Sequence, residues 1–283
     1  MEGTHGPLLL IGGAEDKIGG RIILDRFVQL AGGAQAHIVI IAAASSFEDL
    51  VGRRYISLFT SLGAGRAEML QVRNRTEARH ALPLSQIDDA TGIFITGGDQ
   101  LKLTALFGGT PIVERIRRQN QAGVVVAGTS AGASAAPEHM LAYGAGGLTP
   151  HKAMMQFAPG LGLIDGLIVD QHFGARNRTG RLITAVAHNP DLLGLGLDED
   201  TAVEITGDHF SVLGRGAVMA IDGANVSYSD IHRVNEGMPL AIFGLHVHVL
   251  TSGFQFNLAS RTPSPPSAMA THAETGLTFG EGI

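Results

Sequence analysis

The chain has 283 residues, 45% of them hydrophobic, enough to bury a sizeable core in one large domain expected to span residues 1–258. A net charge of −6 argues against nucleic acid or an anionic membrane as a main partner. The chain contains no cysteine, which excludes disulfides, thiol nucleophiles and thiolate-bound metal, so a nucleophile must be an oxygen or a nitrogen. No apolar run reaches the roughly 18 residues that a membrane helix needs. Met1 to Pro7 lacks the basic and apolar regions of a signal peptide, so the expected location is the cytoplasm.

In chain order, Pro7 to Ile11 is a short apolar run that ends at Gly12-Gly13 and reads as a buried strand entering a glycine loop. Gly19 to Leu30 carries apolar residues at Ile22, Ile23, Phe27 and Leu30, a helical spacing closed by Gly32-Gly33. Ile38 to Ile41 is the next strand, Asp49 to Leu62 a helix, and Ala67 to Val72 a third strand. Gly92 to Thr96 is a fourth strand that opens into Gly97-Gly98-Asp99-Gln100. Leu101 to Phe107 and Pro111 to Gln121 read as helices leading to the run Val124-Val125-Val126. Strands alternating with helices predict an α/β fold with a largely parallel sheet and helices on both faces, flavodoxin-like or class I amidotransferase-like.

Beyond His139 the sequence becomes loop-like through Gly144 to Gly147 and Pro159-Gly160. Gly166 to Val169 is a strand that delivers Asp170-Gln171-His172-Phe173, and a helix from about Ala175 to Ala187 carries Arg176, Arg178 and Arg181. The strand Leu193 to Leu197 ends in Asp198-Glu199-Asp200, and Thr201 to Ile205 follows. Short alternating strands from Phe210 to Leu258 predict antiparallel additions at the sheet edge near the C-terminus. Residues 259–283 are rich in Pro, Ser and Gly without periodicity and read as a poorly ordered tail.

The chemistry centres on Gly128-Thr129-Ser130-Ala131-Gly132. This G-x-S-x-G spacing follows a strand signal, and small neighbours let a strained turn push the serine oxygen clear of the backbone. A capping serine in a tight turn is the plain alternative. A serine hydroxyl needs an adjacent base, and that base needs a third group to orient it. His172 is the candidate base because it also stands just past a strand; Glu199 is the candidate acid, with Asp198 and Asp200 competing on position alone. The order Ser, His, acid differs from that of α/β-hydrolases.

An oxyanion would need two backbone donors: Ala131 N–H is the first candidate and the Gly98-Asp99 turn supplies the second. Gly12-Gly13 meets neither the G-x-G-x-x-G nor the P-loop spacing, so neither a nucleotide nor another cofactor is expected. His246 and His248 share one face of a strand but lack a third ligand, so no metal is expected. Arg176, Arg178 and Arg181 suit a carboxylate clamp, or else a charged solvent face.

Five blocks in order carry a resemblance to a known family: Ile11 to Lys17, Thr96 to Gln100, Gly128 to Ser134, Asp170 to Phe173 with its arginines, and Asp198-Glu199. Over roughly Leu8 to Leu258 the sequence resembles the cyanophycinase group of the peptidase E-like serine peptidases. The resemblance implies Ser130 as nucleophile, His172 as base and Glu199 as orienting acid. It places the substrate pocket at Gln100, Asp170, Gln171, Arg176, Arg178 and Arg181. It also implies a homodimer that releases β-Asp-Arg dipeptides from cyanophycin, a polyaspartate bearing arginine on each β-carboxylate. In that substrate every unit offers a carboxylate to arginines and a guanidinium to Asp170 or another acid. An α-aspartyl dipeptidase of the peptidase E type and a non-catalytic binding protein on the same fold are the alternatives.

Overall fold

Leu8 and Leu10 face one core, Leu9 and Ile11 another, so the first strand, β1 (Leu8–Ile11), is buried on both sides as the unbroken apolar run requires. A computed structural model of the protein describes residues 5–266. After β1 come α1 (Ile22–Leu30), β2 (His37–Ile41), α2 (Glu48–Ser61), β3 (Arg66–Met69), α3 (Ala81–Asp88) and β4 (Gly92–Ile95). Helices α4 (Gln100–Phe107) and α5 (Pro111–Gln121) then lead to β5 (Val125–Thr129). These five strands lie parallel in the order β1-β5-β4-β2-β3.

One face of this sheet is covered by α1 and α2 through Phe27, Tyr55 and Phe59, which pack their rings around Phe94. The other face is covered by α3, α4 and α5, for example through Ile87, Phe107 and Ile116. The expected α/β class, parallel sheet and helices on both faces are all present. β3 stops at Met69, three residues short of the predicted end.

The second half departs more from its sequence pattern. The turn helix α6 (Ala131–Ala135) is followed by a hairpin, β6 (His139–Gly144) and β7 (Met155–Pro159), where a loop was expected. Then come β8 (Leu167–Asp170), α7 (Thr179–His188), β9 (Leu193–Leu197), β10 (Thr201–Thr206), β11 (His209–Gly214) and β12 (Ala217–Asp222). Five short strands complete the described chain: β13 (Tyr228–Ser229), β14 (Ile242–Phe243), β15 (His246–Thr251), β16 (Gln255–Asn257) and β17 (Thr262–Ser264).

β10, β11, β16 and β17 extend the first sheet antiparallel beside β1. β8, β9, β12 and β15 form a second, four-stranded sheet whose Val169, Leu195 and Val218 pack into the same core as Val126 and Leu10. Its far face carries α7 and the β6–β7 hairpin through Leu182, Val186 and Leu141. The strands that lead to His172 and Glu199 therefore belong to the second sheet, and the strand that leads to Ser130 belongs to the first. β17 also carries the first sheet into the stretch read as a tail, whereas residues 267–283 lie outside the described residues. Among the described residues no helix is long and apolar enough to cross a membrane.

Candidate active site

Ser130 stands between β5 and α6 with φ 53° and ψ −112°, a conformation that a non-glycine residue adopts only where its surroundings impose it. Both flanking glycines are needed for that turn. A Cβ on Gly128 would lie 2.5 Å from the Gly132 backbone, and one on Gly132 would lie 2.4 Å from the Ile95 carbonyl oxygen. The serine side chain makes no cap hydrogen bond to the helix behind it, so it is not the capping serine of a plain turn. Its Oγ lies 3.0 Å from His172 Nε2, and His172 Nδ1 lies 2.6 Å from Glu199 Oε1. Three side chains from two sheets thus form one unbroken line, with the serine proton able to pass to an imidazole that a carboxylate orients.

The end of β1 brings them together. The carbonyl of Ile11 accepts the Ser130 N–H at 2.9 Å, that of Gly12 accepts the His172 N–H at 2.7 Å, and that of Gly13 accepts the Asp200 N–H at 2.9 Å. Gly13 has φ 98°, and a Cβ there would stand 2.5 Å from both Cε1 and Nε2 of the His172 ring. The glycine loop that fits no nucleotide motif is therefore the seat of the imidazole.

The three neighbouring acids have separate tasks. Asp198 accepts the N–H groups of Gly174 at 2.9 Å and Ala217 at 3.1 Å, and Asp200 accepts the Asp16 N–H at 2.8 Å. Glu199 alone meets the imidazole. Asp16 in turn holds its loop by accepting the N–H groups of Gly19 and Ile18, which with Arg215 lower its pKa to about 2.

The oxyanion donors differ from expectation at one position. Ala131 N–H and Gly98 N–H have no hydrogen-bond partner among the described residues, and the Gly97-Gly98 turn lies against Ser130, where a Cβ on Gly97 would be 3.5 Å from Oγ. Asp99 is not available as a donor: its N–H is given to Ala44 at 2.9 Å, and its carboxylate caps α4 by accepting from Leu101 and Lys102.

The six expected pocket residues divide in the same way. Gln171 is buried with Oε1 3.3 Å from Ser130 Oγ. Gln100 donates its amide to the carbonyls of Leu141 and Ala142 in the β6–β7 hairpin. Asp170 is fully buried and saturated by Arg178 and Arg181, so it has no oxygen to offer a substrate guanidinium, contrary to expectation. Arg181 gives Nε and Nη2 to Asp170 and Nη1 to the Gly144 carbonyl at 2.9 Å, which fastens the hairpin to β8. Arg178 uses only Nη1, on Asp170 and the Gln171 carbonyl, and keeps Nε and Nη2 unpaired among the described residues. Burial lowers the Arg178 pKa to about 10 against the pull of Asp170, which leaves it a cation at neutral pH. Arg176 is exposed. Helix α7 begins only at Thr179, so Arg176 and Arg178 sit in the turn before it and not on the helix the spacing suggested. Among the described residues no three His, Asp or Glu side chains are grouped to hold a metal, and His248 packs its ring on Phe256.

Sequence reasoning missed a further cluster beside the nucleophile. Glu15, 3% exposed, accepts from Thr129 Oγ1 at 2.6 Å and from the Tyr55 hydroxyl, and pairs with Lys17 at 2.8 Å. Burial pushes its carboxyl pKa up, but the Lys17 charge and the hydrogen bonds from Lys17, Thr129 and Tyr55 outweigh it and hold the group below its ordinary range. A carboxylate after a glycine loop reads as solvated, and no local signal ties it to a tyrosine 40 residues away.

An α/β scaffold that aims a strained serine at an imidazole and carboxylate has the arrangement of a serine hydrolase. The model of peptidase family S51 matches residues 8–213, and the chain belongs to that family. It is 42% identical over 266 residues to a cyanophycinase from Trichormus variabilis, covering 93% of this chain and 89% of that protein. A cyanophycinase from Geminocystis herdmanii is also 42% identical, over 90% of this chain and 95% of the relative. Among solved structures, a peptidase from an acI-B1 Actinobacterium superposes with a TM-score of 0.62 at 22% identity, covering 91% of this chain and 98% of the other. A putative peptidase E protein from Listeria monocytogenes gives 0.51 at 18% identity, over 75% of this chain and 100% of that one. At those identities the two structures speak for the shared fold alone.

Two substitutions test the frame of the site. Gly13→Ala should keep the far-ultraviolet circular dichroism of the parent and lower kcat/KM by at least about a hundredfold, because it displaces the ring of His172. A variant within about threefold of the parent would show that the ring does not depend on this seat. Asp170→Asn leaves two buried guanidinium groups short of their counter-charge and should cost about 3–5 kcal/mol in urea denaturation.

Proposed function

We propose that this peptidase hydrolyses the aspartate backbone of cyanophycin and releases β-Asp-Arg dipeptides through an acyl-enzyme at Ser130. The observation that carries the reading is the 42% identity to cyanophycinases across at least 90% of the chain, joined to the Ser130–His172–Glu199 line at 3.0 and 2.6 Å. The α-aspartyl dipeptidase alternative is not favoured, since the likeness to a putative peptidase E structure, at 18% identity, speaks for the fold alone.

In this mechanism His172 Nε2 takes the hydroxyl proton as Ser130 attacks the backbone carbonyl, and Glu199 stabilises the resulting imidazolium. Ala131 and Gly98 N–H groups donate to the oxyanion. His172 then passes the proton to the leaving amine, and water repeats the sequence to free the acyl group. The unpaired Nε and Nη2 of Arg178, with exposed Arg176, offer the donors for a substrate carboxylate. With Asp170 saturated by Arg178 and Arg181, the substrate guanidinium must find another acceptor. The homodimer stays part of the reading: β15 ends the second sheet and leaves exposed Val247 and Val249 open to a second copy.

Insoluble cyanophycin incubated with the protein should yield soluble β-Asp-Arg on mass spectrometry, and Ser130→Ala should abolish release while unfolding at the parent's temperature. Untouched polymer alongside hydrolysed aspartyl dipeptides would move the assignment to the alternative, and a Ser130→Ala variant with most of its rate would remove the nucleophile.

A further inference from the structure

The end of β1 and the loop that follows it, Ile11 to Glu15, hold the nucleophile twice. The backbone takes the Ser130 N–H at Ile11, and Ile11 is in parallel register with Thr129. A side chain continues the grip: the Glu15 carboxylate accepts the Thr129 hydroxyl at 2.6 Å, and Thr129 is the residue before the serine. Gly13 and Ala14, both at positive φ, turn the chain so that the Glu15 side chain reaches beneath the elbow.

Glu15 is itself fixed from the other side. The Tyr55 hydroxyl of α2 donates to Oε1, Lys17 Nζ lies 2.8 Å from the same oxygen, and that ammonium sits 5.4 Å from the centre of the Tyr55 ring. Thr129 takes the remaining oxygen, Oε2. Every polar atom of the cluster has a partner, although Glu15, Tyr55 and Thr129 are each no more than 5% exposed. A buried ion pair of this kind is weak ground for stability, since apolar residues of the same volume commonly serve as well. A function in aiming the adjacent strained serine accounts for the cost of burying it. A φ of 53° at Ser130 has to be imposed by its neighbours, and the peptide between Thr129 and Ser130 is the one that sets it.

We propose that Glu15 is a positioning residue for the reaction: through its hydrogen bond to Thr129 it fixes the approach to the elbow, so that Ser130 Oγ stays in line with His172. The carboxylate does not touch substrate and takes no proton in the cycle. Lys17 keeps it ionised, and Tyr55 anchors it to α2. The proposal rests on the assignment of Ser130 as nucleophile.

The test uses the full chain with Thr129→Val, Thr129→Ser and Glu15→Gln, with Ser130→Ala as reference. The readouts are kcat and KM on β-Asp-Arg oligomers, the rate of inactivation by a serine-directed fluorophosphonate, and the melting temperature. Thr129→Val is near-isosteric and tests the link even if Glu15→Gln does not fold. Thr129→Val should lower kcat and the inactivation rate together by about tenfold to a hundredfold while KM changes by less than about twofold. Thr129→Ser, which restores the hydroxyl, should recover most of both rates. If Thr129→Val loses melting temperature but keeps both rates within about twofold, the cluster is only structural and the proposal is overturned. An active Ser130→Ala variant would instead overturn the assignment beneath it; an inactive one beside a fully active Thr129→Val overturns this proposal alone.

Discussion

Three consecutive carbonyl groups at the end of β1 hold the site together. Ile11, Gly12 and Gly13 accept N–H groups from Ser130, His172 and Asp200, three segments that the chain reaches at widely separated points. Each bond is an ordinary backbone hydrogen bond, contributing about 1 kcal/mol net. Their value lies in direction, because they bring the C-terminal ends of two sheets to one edge and set the spacing on which proton transfer depends. Side chains at this junction would intrude: a Cβ on Gly12 would lie 2.0 Å from the Asp198 carbonyl oxygen, and one on Gly13 would enter the imidazole. The junction is therefore bare backbone, and the functional side chains stand around it.

A second principle runs through the charged groups of the pocket. Buried charge is arranged to be satisfied internally, and the donors that remain free are those the proposed mechanism gives to the substrate carboxylate. Asp170, Arg181 and Glu15 are committed to partners, while Arg178 keeps two donors and Arg176 lies exposed. The same Asp170–Arg181 pair fastens the β6–β7 hairpin through Gly144, so the seating of the hairpin depends on an interaction that the sequence presents as a binding group. A carboxylate lodged between two arginines is a strut as long as both guanidinium groups close on it.

The sheet strands were legible because apolar runs such as Leu8 to Ile11 and Ile38 to Ile41 carry their burial in four residues, and the elbow was legible because its two glycines answer to steric limits in the immediate neighbourhood. The pairing of strands into two sheets was not, since Gly166 to Val169 and Val124 to Val126 are equally apolar and nothing local says which sheet each joins. The β6–β7 hairpin hid among Gly144 to Gly147 because its glycines mark a long connection as readily as a loop. Position alone left Glu199 level with Asp198 and Asp200; the choice is made by tertiary contacts that give both aspartates to backbone N–H groups. Asp99 misled for a related reason, since a residue after a glycine turn is as well placed to cap a helix as to lend its amide. Glu15 was in view as part of a motif and still unread, because its partners Tyr55 and Thr129 are remote along the chain.

The account turns on a covalent bond between Ser130 and the substrate acyl group. Rapid acid quenching during turnover of β-Asp-Arg oligomers, followed by proteolysis and mass spectrometry, observes that bond directly. The account predicts an aspartyl adduct on the peptide that contains Ser130. Product release with that serine unmodified at every time point, or an adduct mapped to another residue, would contradict it.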